Sequence, residues 1–220
     1  HFANAKNPAF PSYTLKQIEL FNQWKGILKN NGFEPICHAS ASAGAILFPQ
    51  AHFDMVRAGA ALYGIWPSAE TKSFAESKFQ LQPVLSWRTL LSEVKNLPKG
   101  SQISYDCTET LERDSVVGIC PIGYWHGYPR CLSSVGKVIV KGKKVKVLGR
   151  VCMDMIIVDL TDVKKPKVGD EVTLIGRDGK EELSLEEVAT LADSSTYELV
   201  DRINPLIERI YGYKYLMTNV

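Results

Sequence analysis

The chain has 220 residues, 45% of them hydrophobic and 23% charged, a composition suited to one large or two modest globular domains. Its 26 basic and 24 acidic residues leave a net charge of +2, which gives no reason to expect nucleic acid or an anionic membrane as partner. No apolar run approaches the ~18 residues of a membrane span. The five cysteines (37, 107, 120, 131, 152) are scattered, and neither they nor the four histidines cluster as metal ligands would. They read as free thiols in a reducing compartment, so a cytoplasmic location and no bound metal are expected.

The first 78 residues alternate helix and strand. The chain opens on His1-Phe2-Ala3-Asn4-Ala5 without an initiator methionine, which reads as the end of a buried element, with the natural N-terminus upstream. Thr14-Leu15-Lys16-Gln17 reads as a capping box, with Thr14 accepting from the Gln17 amide. Leu15, Ile18, Phe21, Trp24 and Leu28 follow at helical spacing, and Asn30-Asn31-Gly32 ends the helix. Pro35–His38 reads as a short buried strand, Ser42–Phe48 as a helix start, and Met55-Val56-Arg57 as another buried strand. This rhythm suggests part of a parallel α/β structure.

From about Leu81 the pattern changes to short β-branched runs: Ser86–Val94, Ser115–Pro121, Val135–Val140, Val145–Leu148, Ile156–Leu160 and Glu171–Ile175. Lys141-Gly142-Lys143 is expected to form a hairpin turn, and Val168-Gly169-Asp170 to open the last strand. The prediction is a small antiparallel barrel or sandwich. Ser184-Leu185-Glu186-Glu187 is a capping box opening one helix, and Thr196–Ile203 is a second.

Several motifs stand in a fixed order: Met55-Val56-Arg57-Ala58-Gly59, Leu62-Tyr63-Gly64, Ser104-Tyr105-Asp106, Pro121-Ile122-Gly123-Tyr124, and Gly149-Arg150-Val151-Cys152-Met153-Asp154. Together they resemble the pyridoxal-phosphate-dependent, fold-type III alanine racemases, from His1 to about Tyr213. The resemblance implies an α/β plus β fold: residues 1–78 as the C-terminal strands and helices of a (β/α)8 barrel, and 79–220 as a mostly antiparallel β domain. It also implies that the Schiff-base lysine lies outside this chain. The lysines at 137, 141, 143, 144, 146, 164, 165 and 167 read as solvated turn charges, and Lys6, Lys16, Lys25 and Lys29 belong to a loop and a helix. A barrel divided in this way leaves apolar surface unpaired, so another portion should cover it.

The resemblance assigns roles residue by residue. Ser42, the backbone of Gly59 and Ala60, and Tyr197 would hold the cofactor phosphate. A helix start and a glycine suit an anion on their own chemistry, although a serine there commonly just caps. Arg57 would donate to the pyridine nitrogen; its bland alternative is a salt bridge with Asp54. Guanidinium has no acceptor and keeps its proton, so the ring nitrogen would stay unprotonated and the ring a restrained electron sink. Tyr105 would be the acid/base on one face of the substrate, coming from the other subunit of a homodimer. Tyrosine ordinarily titrates near ~10, so such a base needs positive neighbours, which match His1 and Arg57. The Met153 amide would bind the substrate carboxylate, and His38, Tyr124, Arg130, Arg150 and Asp154 would line the entrance.

The chain departs from the family in three places. It has Ala41-Ser42 where Asn-Ser is frequent, His126 where an aspartate is common, and Lys6 where an acidic residue is frequent. The expected reaction is interconversion of L- and D-alanine, supplying D-alanine for peptidoglycan, with the isolated chain inactive. The alternatives are a non-catalytic β-domain interaction module, or a racemase for serine or another small amino acid.

Overall fold

The structure is a computed structural model that describes residues 1–212. Tyr213 and the end of the second expected domain lie outside the described residues. The chain forms two compact units, His1–Val84 and Leu85–Val220.

In the first unit, α1 (Ser12–Asn30), α2 (Ser42–Leu47) and α3 (Ala69–Ala75) are joined by loops and short 3-10 turns at Pro49–Ala51 and Ala60–Tyr63. Its core gathers Phe2, Ala5, Ile18, Ala39, Ala43, Phe48 and Ala51, and Phe21 and Phe53, with ring centroids 4.7 Å apart, pack against it. This patch is narrow, so α1 buries only Thr14 and Ile18 fully. Leu15, Trp24 and Leu28 of the expected stripe are exposed. α1 stops where expected: Asn31 caps it and Gly32 takes a φ of 80°.

Two local expectations fail here. The helix starts at Ser12, and the Thr14 hydroxyl donates to the Asn4 carbonyl instead of accepting from Gln17. A tertiary acceptor has overridden the capping pattern. Neither Pro35–His38 nor Met55–Arg57 forms a regular strand; the pairing is one parallel bridge, Ala41↔Arg57. Ile36, Met55 and Val56 are accordingly exposed. A parallel strand is stable when neighbours flank it on both edges, and among the described residues Met55–Arg57 has one bridge and Pro35–His38 has none.

The described residues of the second unit form ten strands: β1 (Trp87–Leu90), β2 (Glu93–Leu97), β3 (Gln102–Ile103), β4 (Glu109–Thr110), β5 (Ser115–Cys120), β6 (Lys137–Val140), β7 (Lys143–Leu148), β8 (Ile156–Asp159), β9 (Glu171–Asp178) and β10 (Glu181–Leu183). Eight form an antiparallel sheet in the order β1-β9-β6-β7-β8-β5-β2, with β10 also on β9; β3 and β4 pair separately. The expected run Ser86–Val94 is divided between the two ends of this path. Leu91 N donates to Asp170 O beside β9, and Ser92 N donates to Ile119 O in β5. The three steps from Leu90 to Glu93 span at most ~11 Å. The sheet therefore curls until its ends meet, as in a small barrel.

β6 and β9 are buried on both faces: Val138, Ile139, Val140, Val172 and Leu174 have no exposed surface. One covering element is α4 (Leu185–Leu191), which packs on β9 through a buried set that includes Leu185, Val188 and Ala189. Its N-cap is as read, with Ser184 Oγ accepting from Glu187 N at 3.1 Å. α5 (Thr196–Asp201) follows. Lys141 and Gly142 turn the β6–β7 hairpin with φ of 50° and 68°, the left-handed pair that matches strand twist. Among the described residues no helix is long and apolar enough to cross a membrane.

Candidate active site

In the first unit the site residues converge on Arg57. The bridge to Ala41 and the bond from Arg57 N to Ser40 O (2.9 Å) fix its backbone. Its Nη1 meets His38 Nδ1, and its Nη2 lies 3.2 Å from both His1 Nδ1 and the Ala39 carbonyl. Guanidinium only donates, so each imidazole presents a lone pair at Nδ1 and carries its proton on Nε2. Arg57 thus sets the tautomer of two histidines. The alternative salt bridge to Asp54 does not form: Asp54 Oδ2 instead accepts from Cys37 N at 2.8 Å.

Beside this cluster, buried Ser42 opens α2, and its Oγ accepts from Gly59 N (3.0 Å) and Ala61 N (3.3 Å). Gly59 and Ala60 begin the short turn that follows Arg57. A side chain at Gly59 would meet nothing within 4 Å. Ser42 Oγ takes up the Gly59 and Ala61 N–H groups, which leaves its own proton and the Ala60 N–H as donors for an anionic oxygen group.

In the second unit, Tyr105 sits on the turn after β3, 69% exposed. Arg150 Nε lies 2.8 Å from Asp106 Oδ2, an ion pair with its N–H not aligned on the carboxylate. Gly123 packs so closely on the Cys152–Met153 backbone that a Cβ there would fall 2.2 Å from the Cys152 carbonyl. Tyr124 N and Trp125 N donate to the carbonyls of Cys152 (3.0 Å) and Met153 (2.8 Å). The Met153 N–H makes no hydrogen bond among the described residues, and Met153 and Asp154 are exposed. Tyr124 and Arg130 line a cavity of about 590 Å³ with Cys131, Leu199 and Arg202. Tyr197 stands on α5, where partial burial raises its phenol above the ordinary range.

The sequence reading missed several supporting groups. His126 turns inward, its Nδ1 accepting from Gly123 N at 3.1 Å, so this departure shapes the Gly123 turn. Glu109 accepts from Lys146 Nζ (2.7 Å) and Gly149 N (3.4 Å). Burial opposes its ionisation, but the Lys146 and Ser134 bonds prevail and hold it below the usual carboxylate range. Lys141 pairs with Asp170 and Lys144 with Glu187, so three lysines expected to be solvated charges are paired. The local sequence holds no signal for these, because the partners come from distant strands. No group of three candidate metal ligands occurs among the described residues.

Known proteins resemble this chain over most of its length. Residues 84–211 match the family model for the alanine racemase C-terminal domain, and residues 1–67 that for the N-terminal domain. The alanine racemase of Leptospira interrogans is 39% identical over 215 residues, covering 96% of this chain and 55% of that protein. The Bacillus anthracis alanine racemase crystal structure with bound L-Ala-P superposes at a TM-score of 0.87 and 36% identity, over 93% of this chain and 52% of that one. The Bartonella henselae enzyme with covalently bound pyridoxal phosphate superposes at 0.82 and 32% identity, over 96% and 55%. The chain thus spans about 55% of the length of the curated relatives it matches. The fold, the ordered motifs and the C-terminal-domain match over more than half its length agree: the chain belongs to the alanine racemase family.

Proposed function

We propose that this chain is the C-terminal portion of an alanine racemase, with residues 1–78 belonging to the barrel and 79–220 to the β domain. It interconverts L- and D-alanine in the cytoplasm as part of a homodimer, and the product D-alanine feeds peptidoglycan. The observation that carries this reading is the pairing of Arg57 with His1 and His38 next to the Ser42–Gly59 cradle. The donor set fits pyridoxal phosphate: a hydroxyl and an N–H group for its phosphate, and a permanently charged donor for its ring nitrogen. When bound, the cofactor supplies an electron sink for charge developing at the substrate α-carbon.

This chain's residues then divide the work. The Ser42 hydroxyl and the backbone at Gly59 and Ala60 hold the phosphate, with Tyr197 as a further ligand. Arg57 donates to the ring nitrogen and releases no proton to it, which restrains the sink and disfavours side reactions. The free Met153 N–H binds the substrate carboxylate. Tyr105 takes or gives the α-proton on one face, and a lysine outside this chain serves the other. His38, Tyr124, Arg130, Arg150 and Asp154 line the approach.

The test mixes this chain with a separately expressed N-terminal racemase half and pyridoxal phosphate, and follows D-alanine formation from L-alanine. Turnover is expected on mixing and absent from either part alone. A soluble, cofactor-binding complex without turnover would sink the reading. In the active mixture, Tyr105→Phe is expected to lower turnover by about 10²- to 10⁴-fold.

A further inference from the structure

Tyr105 is flanked by strained backbone. Ser104, Asp106 and Cys107 have φ of 66°, 59° and 51°. Non-glycine residues enter this left-handed region at a cost and stay there when their surroundings over-determine them. The surroundings here are residues 149–152. Ser104 Oγ donates to the Arg150 carbonyl at 2.8 Å, and Arg150 Nε pairs with Asp106 Oδ2 at 2.8 Å. Gly149 is pressed against the same turn: a Cβ there would fall 2.7 Å from Ser104 Cβ. Glu109 in turn ties Gly149 N to Lys146.

The residues before and after Tyr105 are thus both fastened to Arg150, one to its carbonyl and one to its guanidinium. The exposed Tyr105 ring makes no hydrogen bond of its own among the described residues, so its placement depends on these two ties. A glycine at 106 would adopt a φ of 59° with less strain. It would leave Arg150 Nε, a buried atom, without its carboxylate neighbour. The aspartate thus gives Arg150 Nε a carboxylate neighbour that a glycine could not supply.

We propose that Asp106 is a positioning residue for racemisation: by pairing with Arg150 it completes a two-sided clamp that aims Tyr105 at the substrate α-carbon. The inference rests on the acid/base role of Tyr105 given above.

The test uses the enzyme completed with an N-terminal half. Asp106→Asn keeps side-chain shape and tolerance of the left-handed region but removes the charge, and Asp106→Gly relaxes the backbone instead. Both are expected to lower kcat about tenfold with KM changed less than about twofold, since misplacing a reacting group costs rate more than binding. Racemisation has an equilibrium constant of one, so kcat/KM must fall equally for both antipodes. The discriminating readout is the isotope effect of alanine deuterated at the α-carbon. It should rise for one antipode and fall for the other, as transfer through Tyr105 slows relative to transfer on the opposite face. A lower kcat with both isotope effects unchanged, or a fully active Asp106→Asn enzyme, overturns the clamp. Intact turnover in Tyr105→Phe would instead remove the role of Tyr105 itself. In the chain alone, Asp106→Asn should speed amide exchange at Cys107, whose N–H reaches Ser104 O at 3.3 Å, by about tenfold. Unchanged exchange there also overturns the clamp.

Discussion

In Leu85–Val220 the long strands find antiparallel partners inside their own unit, whereas in His1–Val84 the two segments that read as strands form no ladder, and Arg57 makes a single parallel bridge to Ala41. The difference follows from how each kind of pairing closes. Antiparallel neighbours can be joined by a two-residue turn such as Lys141-Gly142, so a short stretch of sequence completes its own ladder. Parallel neighbours depend on crossovers and on flanking strands. Where the ladder is reduced to one bridge, side chains take over: Ser40 Oγ donates to Ala51 O, and Arg57 reaches the Ala39 carbonyl. Arg57, which helps hold this unit together, is also proposed to hold the cofactor.

The largest expected effect separates the two units by packing. Leu174 has no exposed surface at the centre of β9, and Leu174→Ala should cost about 2–5 kcal/mol through lost contacts and a residual cavity. Trp24 is 65% exposed on α1, and Trp24→Ala should stay within about 0.5 kcal/mol. Residue-resolved hydrogen exchange in urea measures both. A cost at Trp24 comparable to that at Leu174 would mean that α1 buries its wider apolar stripe in solution.

A smaller effect concerns acid. Asp170 sits beside the start of β9 with its side chain 8% exposed, 2.8 Å from Lys141 Nζ and accepting from Lys167 N at 2.8 Å. Burial alone would raise its carboxyl, but the Lys141 and Lys167 contacts outweigh it and hold the group below the usual range. Its unfolded value lies near ~3.9. The sign follows: stability from Asp170 is present above that pH and is lost as pH falls through the lower folded value. Asp170→Asn should cost about 1–2 kcal/mol at pH 7 and flatten the acid limb of a stability curve below pH ~4. In the first unit the depressed carboxyl is Glu70, held first by a backbone N–H and then by Ser68, and fully solvated. Glu70→Gln should flatten that limb much less, because solvent screens a surface carboxylate. Equal flattening by both variants would contradict the distinction between a buried and a surface carboxylate.

Much of this was legible in the sequence where the signal is local. The β6–β7 turn, the Ser184 cap and the runs that became β5 to β9 are each specified by a few adjacent residues. The division of Ser86–Val94 between two sheet ends was not, because nothing in this nine-residue run marks where it changes partner. At the site, the motifs identified Arg57, Ser42 and Tyr105 as residues of interest. What they could not give was geometry: that Arg57 orients two imidazoles, that Asp54 turns to Cys37, or that Asp106 reaches Arg150 across 44 positions. Such pairs depend on long-range folding, and residue type alone leaves several partners open.

The smallest effect tests this boundary between local and tertiary control. Ser184-Leu-Glu-Glu and Thr14-Leu-Lys-Gln carry the same capping pattern, yet only the first forms the cap. Ser184→Ala should cost about 1 kcal/mol and remove exchange protection at the Glu187 amide. Thr14→Ala should leave the Gln17 amide protected, because that amide lies well inside a helix that begins at Ser12. Its loss should appear instead in the docking of the N-terminal segment, where Thr14 binds Asn4 O and the Gln17 side chain accepts from Ala3 N at 3.1 Å. Loss of protection at Gln17 in Thr14→Ala would restore the local reading, with Thr14 as a true N-cap whose cap bond outweighs the Asn4 contact.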